Sequence, residues 1–424
     1  MKIFFVIYVY TVKLAPSVEA AHRDNCNHEL VDSIRAMPTP SLSSSYLYYK
    51  KPSAIDAEIR NYLQGNRHPE ESIYFLDLGE IERLYRAWEE RFHGIHPYYA
   101  IKCNPDHGFI QKLSELGANF DCASIAEIDR VLGLGISPDR ILFANPCKRK
   151  KDIVSAYKRG VKTVTFDTET ELEKIGEVCP SMGCVLRIYA KDPEAVCQFA
   201  HKFGCPPERW DSILETAKRH RISITGVSFH VGSGASSPSA YEQAIQQARA
   251  FYDLAKDHGH RVGLIDIGGG FVSHRLKGIP EAIQRAINKN FPPELGCRFI
   301  AEPGRYFAET SGYLATNVIG IRKTEATRDY WITDSLYGSF NCIFYDHYVP
   351  QAEALHGNGR RYKTTLYGPT CDGLDKILEM DAFPELELND WILFRRMGAY
   401  TLSGAANFNG IPFLNAHIVY LLQA

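Results

Sequence analysis

A lysine stands at the end of an apolar, strand-like segment, where its amine could act as a nucleophile. The segment reads Tyr98-Tyr-Ala-Ile-Lys102 and is followed by Cys-Asn-Pro. A lysine that forms a Schiff base with a carbonyl compound needs a partly desolvated site that lowers the pKa of its amine. Because most lysines point into solvent, the position of Lys102 alone leaves a catalytic role and a surface role open.

Two glycine-containing turns could bind an anion. Asp266-Ile-Gly-Gly-Gly270 ends a second apolar run, and the backbone N–H groups of three glycines at the start of a helix suit a phosphate. A tight turn that requires positive φ would also explain these glycines. Glu302-Pro-Gly-Arg305 ends another run, and its carboxylate and guanidinium could serve a ligand or form a surface ion pair.

Further residues of reactive types follow other strand-like runs. His230-Val-Gly-Ser233 places an imidazole and a hydroxyl side by side. Asp346 and Asp372 could hold a cation at the far end of a substrate, and Cys371 could donate a proton. Taken singly, each of these residues also fits a structural role.

The elements that position these residues are eight apolar runs between residues 98 and 304, separated by segments of helical period such as 109–116, 125–134 and 170–178. Eight strand–helix units predict a closed parallel (β/α)8 barrel, with an open, doubly wound sheet as the alternative. The polar residues lie at the C-terminal ends of the runs. In a barrel these ends form the mouth, where barrel enzymes carry their active sites. The runs begin at Tyr98, Asn119, Ile141, Thr163, Cys184, Gly226, Gly263 and Cys297.

After residue 305 the pattern changes to strand-like segments, which predict an antiparallel β domain. Residues 45–50 are expected to add a strand to it. The predicted division is an N-terminal extension at 1–34, a segment at 35–72 that joins the β domain, the barrel at 73–308 and the C-terminal β domain at 309–424. The C-terminal strands are predicted at 313–322, 330–333, 342–349, 361–367, 391–395 and 417–422.

Composition excludes several classes of protein. The chain has 424 residues, with 48 Lys+Arg against 50 Asp+Glu, so no net positive field attracts nucleic acid or an acidic membrane. Eleven cysteines without a C-x-x-C pair indicate neither a metal site nor a disulfide framework, and reduced thiols favour the cytoplasm. The apolar residues 1–12 are too short to span a membrane. They leave a secretory signal, an organelle-targeting remnant and a wrongly assigned start codon open.

Together, six motifs resemble those of eukaryotic ornithine decarboxylase, a fold-type III, alanine-racemase-like family that depends on pyridoxal 5'-phosphate (PLP). They occur in the family's order over residues 35–424, and the resemblance implies a PLP-binding (β/α)8 barrel followed by a β domain. The motifs are Tyr98-Tyr-Ala-Ile-Lys102-Cys-Asn, Phe229-His230-Val-Gly-Ser233, Asp266-Ile-Gly-Gly-Gly270, Glu302-Pro-Gly-Arg305, Tyr337-Gly-Ser-Phe-Asn341 and Gly368-Pro-Thr-Cys371-Asp372-Gly-Leu-Asp375.

The resemblance implies a role for each matching residue. Lys102 would bind PLP covalently, Glu302 would pair with the pyridine nitrogen, and His230 would stack on the ring. Asp121, Glu127 and Arg187 would support the lysine and the ring. The residues that would hold the 5'-phosphate are Ser233, Gly268, Gly269, Gly270, Gly304, Arg305 and Tyr400.

The implied reaction is decarboxylation of L-ornithine to putrescine and CO2, the first step of polyamine synthesis. Cys371 would supply the proton that replaces CO2. Asp346 and Asp372 would pair with the terminal ammonium, beside Tyr337 and Tyr345. In the family, the cysteine and second aspartate reach across from the other subunit, which implies a homodimer with shared sites. An antizyme-type regulator would be a further partner.

Two other functions remain open for this scaffold. One is a decarboxylase that acts on both lysine and ornithine, since the two substrates differ by only one methylene. An antizyme-inhibitor-like binding protein would keep the fold but lose cofactor residues, whereas this chain retains Lys102, Glu302, Arg305 and Cys371. We expect a cytoplasmic enzyme, with a secreted or organellar location as the alternative.

Overall fold

The computed structural model describes residues 45–65, 71–197, 201–357, 359–413 and 417–424. The apolar segment 1–12 and the rest of the extension lie outside these ranges. Eight parallel strands close into a barrel in the order β10-β3-β4-β5-β6-β7-β8-β9, and each of the eight predicted runs supplies one strand. The barrel prediction is therefore confirmed. The strands are β3 Ile95–Ala100, β4 Asn119–Cys122, β5 Ile141–Phe143, β6 Thr163–Phe166, β7 Gly183–Arg187, β8 Ile224–Ser228, β9 Leu264–Asp266 and β10 Arg298–Ala301.

Amphipathic helices alternate with the strands. Their starts follow from capping residues: Asp106, Ser124 and Thr168 each accept a hydrogen bond from the backbone N–H three residues later. No helix in the described ranges is long and apolar enough to cross a membrane. The barrel helices are α2 Leu78–Arg91, α3 His107–Leu116, α4 Ile125–Gly133, α5 Lys150–Lys158, α6 Glu169–Val178, α7 Trp210–His220, α8 Pro238–Asp257, α9 Ile279–Asn290 and α10 Arg305–Ala308.

Apolar side chains fill the barrel interior below the mouth. Tyr98, Leu142, Val185, Leu264 and Ile300 come from five different strands and form a buried cluster of their own, separate from the large core that joins strands to helices. Such a layer makes a (β/α)8 barrel a packed core rather than a pore. The polar residues at the carboxyl ends of the strands therefore lie above a closed floor.

The remaining strands form one nine-stranded sheet, in which the two ends of the described chain meet. Strand β17 pairs with both β1 and β2, so the predicted strand at 45–50 does join this domain. Most pairs are antiparallel, as predicted, but β1–β17, β2–β17 and β12–β14 are parallel. The strands are β1 Ser45–Tyr49, β2 Ile73–Asp77, β11 Gly312–Lys323, β12 Thr327–Ile332, β13 Ala352–Ala354, β14 Arg361–Tyr367, β15 Lys376–Pro384, β16 Trp391–Arg395 and β17 His417–Gln423; α1 Ile55–Gly65 packs beside β1.

Three details of the β domain differ from the prediction. The segment 342–349 is not a strand but begins with the short helix α11, Cys342–Tyr345, because the Asn341 side chain bonds to Gly338 O and Thr401 O and turns the chain there. Strands β13 and β15 were not predicted. The boundary at residue 73 would place β2 in the barrel, whereas its hydrogen bonds with β11 and β17 place it in the sheet.

Candidate active site

Lys102 and Asp121 meet at the mouth of the barrel. Strand β3 ends at Ala100, and the 3-10 turn Ile101–Cys103 carries Lys102 past the end of the strand. Because Ile101 and Cys103 are buried on either side of it, the lysine side chain extends into the mouth, where it is 45% exposed. Its Nζ lies 2.5 Å from Oδ2 of Asp121, a fully buried residue of the neighbouring strand β4.

The charge environment of Lys102 differs from the one expected for a simple nucleophile. Desolvation by the walls of the mouth alone would lower the pKa of its amine, but the negative charge of Asp121, which also accepts a hydrogen bond from the amine, outweighs it, and the pKa is raised. The expectation of a lowered pKa was therefore wrong for this state of the site. The amine is an ammonium ion, and Asp121 Oδ2 is placed to receive its proton when the amine reacts.

We predict that Asp121→Asn shifts the pH dependence of PLP attachment. Loss of the carboxylate removes a cause of the raised pKa of Lys102, so more of the amine is neutral at a given pH. The rate of PLP attachment to the apo-protein, followed by absorbance, should reach its half-maximal value at a lower pH than in the wild type. Glu177→Gln serves as the control, because this exposed carboxylate pairs with Lys150 and does not line the cavity. An unchanged midpoint in the Asp121 variant would contradict the assignment.

Three carboxyl groups of the mouth interact with one another: Asp121, Asp266 and Glu302. Burial first, and then repulsion from Asp266 and Asp121, raises the pKa of Glu302 well above its usual range, while burial raises the pKa of Asp266 to about 7. Asp266 Oδ1 accepts the Gly268 N–H at 2.9 Å. Asp266 also shares a side-chain hydrogen bond with Glu302, whereas Asp121 Oδ1 is buried without a hydrogen-bond partner within the described chain. The cluster therefore binds a proton more readily than isolated carboxyl groups would.

His230 presents a neutral imidazole to the same space. Burial and the positive charges of Arg187 and Lys102 lower its pKa well below the usual value. Its Nδ1 lies 3.0 Å from the Gly232 N and accepts that N–H, so the proton of the neutral ring is on Nε2. A Cβ on Gly269 would lie 2.8 Å from both Nε2 and the backbone Glu302 O, which leaves room for glycine only.

The predicted phosphate-binding residues form a cradle. Gly268 and Gly270 have φ of +67° and +103°, and a Cβ on Gly270 would come 2.4 Å from Gly232 O. Arg305 Nη2 lies 3.4 Å from Ser233 Oγ, and its guanidinium carbon lies 5.2 Å from the centre of the Tyr400 ring. One cavity is lined by Lys102, His230, Ser233, Gly270, Glu302, Gly304, Arg305 and Tyr400, together with Ala100 and Phe271.

Asp346 lies against the cationic side of this cradle. Its carboxylate forms an ion pair with Arg305, and only 7% of the residue is exposed. Asp346 Oδ2 is buried and has no hydrogen-bond partner within the described chain. Glu309 lies farther from the same guanidinium, at 4.0 Å. A carboxylate predicted for the substrate thus lies next to a residue predicted for the phosphate.

Two further predicted residues, Glu127 and Arg187, are largely buried beside the mouth. Burial raises the pKa of Glu127, whose carboxylate binds the backbone just after β4. The Arg187 guanidinium carbon lies 4.8 Å from the centre of the Phe203 ring, and burial lowers its pKa. The structure thus brings all of the predicted cofactor residues to the mouth. The structure also places Asp266 there, because it is the last residue of strand β9.

The residues predicted at the far end of the substrate, other than Asp346, belong to loops and a short helix of the β domain and do not line the cavity. Cys371 and Asp372 lie in the loop between β14 and β15, where Cys371 is exposed. The Tyr337 hydroxyl donates a hydrogen bond to Asp372, and Tyr345 is 78% exposed. Within the described part of this chain, a hydrogen bond joins Tyr337 and Asp372, and none of the four residues belongs to the cavity lining.

A family model for the pyridoxal-binding domain of pyridoxal-dependent decarboxylases matches residues 78–309. The chain belongs to the pyridoxal-dependent decarboxylases. This decarboxylase is 44% identical over 377 residues to the chloroplastic ornithine decarboxylase of Nicotiana glauca, covering 85% of this chain and 86% of that one. It is 39% identical over 376 residues to the ornithine decarboxylase of Rattus norvegicus, with 83% and 81% covered.

The fold is also shared with solved decarboxylases. The arginine decarboxylase of Paramecium bursaria Chlorella virus, bound to agmatine, superposes with a TM-score of 0.82 at 36% identity. The match covers 87% of this decarboxylase and all of the viral chain. The resemblance to eukaryotic ornithine decarboxylase and the predicted two-part fold are therefore confirmed.

PLP is the cofactor of this decarboxylase family, and the cavity fits it. The Gly268–Gly270 turn excludes side chains where a phosphate would approach the backbone, and Arg305 supplies a positive charge beside Ser233. Glu302 faces the same cavity with a carboxyl group that burial keeps protonated more readily than usual. The lysine amine completes the set of groups that an aldehyde with a phosphate and a basic ring nitrogen requires.

Proposed function

We propose that this PLP-dependent decarboxylase converts L-ornithine to putrescine and CO2, the first step of polyamine synthesis. The identity to plant and mammalian ornithine decarboxylases over more than four fifths of the chain carries this proposal. The shared fold alone does not select the substrate, because a viral arginine decarboxylase has it too. The choice therefore depends on the groups that meet the far end of the substrate.

The residues at the mouth divide the work of binding and proton transfer. Bound PLP supplies the electron-accepting ring that takes up the charge left by departing CO2. Lys102 provides the amine that attaches the cofactor, and Asp121 Oδ2 takes the proton from that amine. Glu302 would hold a proton at the pyridine nitrogen, and the neutral His230 ring would lie against the cofactor ring. Ser233, Gly268, Gly269, Gly270, Gly304, Arg305 and Tyr400 bind the phosphate.

The substrate end is built from two carboxylates that come from different subunits of a homodimer. Asp346 lies beside the cofactor cavity of its own chain, with one carboxylate oxygen available for an ammonium group. Asp372 and Cys371 lie outside that cavity, and they act in the site of the partner, where Cys371 donates the final proton. Apolar side chains around these segments suit burial by a second chain, since Phe344, Tyr345, Val349 and Leu374 are 60% to 78% exposed.

The location and the regulator belong to the same proposal. We infer a cytoplasmic enzyme, because the described cysteines are free thiols rather than disulfides. The relative from Nicotiana glauca is named chloroplastic, so an organellar location stays the alternative. An antizyme-type regulator rests on the family resemblance alone.

Substrate competition tests the proposed function. The purified protein, supplied with PLP and a reductant, is assayed for CO2 release from L-ornithine, L-lysine and L-arginine. We expect kcat/KM for ornithine to exceed that for lysine by about tenfold to two-hundredfold, the discrimination that one methylene allows. Equal values would favour the mixed-specificity enzyme. Absence of release from all three by PLP-loaded protein would favour the antizyme-inhibitor-like binding protein.

We predict that Asp346→Asn weakens the recognition of ornithine. A charged hydrogen bond contributes about 1.5–3 kcal/mol, so kcat/KM at saturating PLP should fall by about tenfold to a hundredfold, mainly through KM. Glu309→Gln is a matched control, since it removes the other carboxylate near the Arg305 guanidinium. Equal effects of the two variants on KM would show that Asp346 acts only as a counter-ion of Arg305.

A further inference from the structure

Asp192 is a buried carboxylate behind the phosphate cradle, and the proposed site does not include it. Its side chain is fully buried in the segment that follows β7. Asp192 Oδ1 accepts the Glu194 N–H at 2.9 Å, while Oδ2 accepts the N–H groups of Ser236 and Ser237 at 3.1 Å each. A carboxylate with three backbone donors at this depth fixes the segments that carry them.

These hydrogen bonds hold both sides of the turn that contains Ser233. The backbone N–H of Asp192 donates to Val231 O at 3.1 Å, on one side of the turn, and its side chain binds the segment on the other side. Between them, Gly232 and Gly234 have φ of +124° and +68°. A turn with two glycines has many conformations available, so an external anchor is needed to select one.

A neighbouring residue of the same segment binds the turn directly. Cys197 N donates to Ser233 O at 3.1 Å, and Ser233 N donates to Cys197 O at 2.9 Å. The Ser233 turn also packs against the Gly268–Gly270 segment, because Gly232 O lies where a Cβ on Gly270 would clash with it. A shift of the Ser233 turn would therefore move Gly270 as well.

Asp192 also anchors the residues that directly precede a helix. Helix α8 begins directly after Ser237, whose side chain makes no capping hydrogen bond. Asp192, more than forty residues earlier in the chain, accepts the backbone N–H of Ser237 itself. A negative charge at a helix start is favourable. A purely structural role as the cap of α8 is thus the alternative that an experiment must exclude.

We propose that Asp192 is a positioning residue for the PLP phosphate. It holds the Ser233 turn against Gly270, so that the Ser233 hydroxyl and the glycine backbone face Arg305 with the spacing that a phosphate requires. This inference rests on the proposed assignment of Ser233 and Arg305 to the phosphate.

The test compares PLP with pyridoxal, which lacks the phosphate. Apo-protein is titrated with each compound and binding is followed by absorbance. Asp192→Ala should weaken PLP binding by about tenfold to a hundredfold, the loss typical when a group that supports a ligand-binding residue is removed. Pyridoxal binding should change little. Asp192→Asn should lie between, because its amide oxygen can accept two N–H groups while its NH2 cannot accept the third.

Two further variants separate the outcomes. Asp77 is another buried aspartate that caps a helix, through Glu80 N at 3.0 Å, but it does not line the cofactor cavity. Asp77→Ala should lower the unfolding temperature of the apo-protein and leave the ratio of PLP to pyridoxal affinity unchanged. If Asp192→Ala behaves in the same way, the positioning role is wrong. If Ser233→Ala also leaves PLP affinity unchanged, the phosphate assignment fails and the inference with it.

Discussion

Lys102→Ala is expected to remove the visible absorbance band of covalently attached PLP and to reduce decarboxylation by about a thousandfold or more, the order lost when a covalent catalyst is deleted. In the described structure the amine extends into the cavity that Glu302 and Arg305 also line. Without the amine, the cofactor has no residue for covalent attachment at this site. The measurements are the absorbance spectrum of the PLP-loaded protein and the rate of CO2 release.

Two controls separate loss of the nucleophile from loss of the fold. Removing Lys102 leaves the buried Asp121 carboxylate without its cation, which by itself is destabilising. Lys102→Arg restores a positive charge but offers no amine for attachment, so it should be as inactive as the alanine variant. Lys150→Ala removes an exposed lysine that pairs with Glu177, and it should retain activity and the band. A full band in the Lys102→Arg variant would refute the assignment.

Mixing two inactive variants is expected to restore activity. Lys102→Ala damages the barrel mouth, whereas Cys371→Ala damages a loop that lies outside the cavity of its own chain. In a symmetric dimer with shared sites, random reassociation makes half of the dimers mixed, and each mixed dimer has one intact site. The mixture should therefore recover about a quarter of wild-type activity. The assay is CO2 release from ornithine before and after mixing under conditions that allow subunit exchange.

The same experiment has an internal control. Lys102→Ala mixed with Glu302→Gln should give no rescue, because both residues line the same cavity and every site of a mixed dimer then has one damaged mouth. Subunit exchange must be verified by mixed dimers of two differently tagged chains. If exchange occurs and the Cys371→Ala mixture stays inactive, Cys371 does not act across subunits.

Much of the barrel could be predicted because its signals are local. Each strand is a short apolar run, and residues such as Lys102, Asp121 and Glu302 follow at its carboxyl end, which the closed topology then brings to one mouth. The prediction for segment 342–349 was wrong because its conformation depends on a contact that is distant in the sequence. Its apolar content fits a strand, but the long-range bond from Asn341 to Thr401 O turns it into a helix.

Other features of the site depend on neighbours that no local pattern contains. The raised pKa of Lys102 comes from carboxylates on other strands, and Asp192 binds donors more than forty residues away. A sequence signal for Asp192 does exist, since helix α8 starts at Ser-Ser-Pro without a capping side chain of its own. Cys371, Asp372, Tyr337 and Tyr345 stay predictions, because their proposed place in the site requires a second chain.

The stoichiometry of the reaction with L-ornithine tests the proposed decarboxylation directly. Protein loaded with PLP is incubated with L-ornithine, and CO2 and putrescine are both quantified, with Lys102→Ala protein as the blank. We expect equal molar amounts of CO2 and putrescine from the wild type and neither from the variant. A wild-type protein that shows the absorbance band of attached PLP but forms no putrescine would contradict the proposed function.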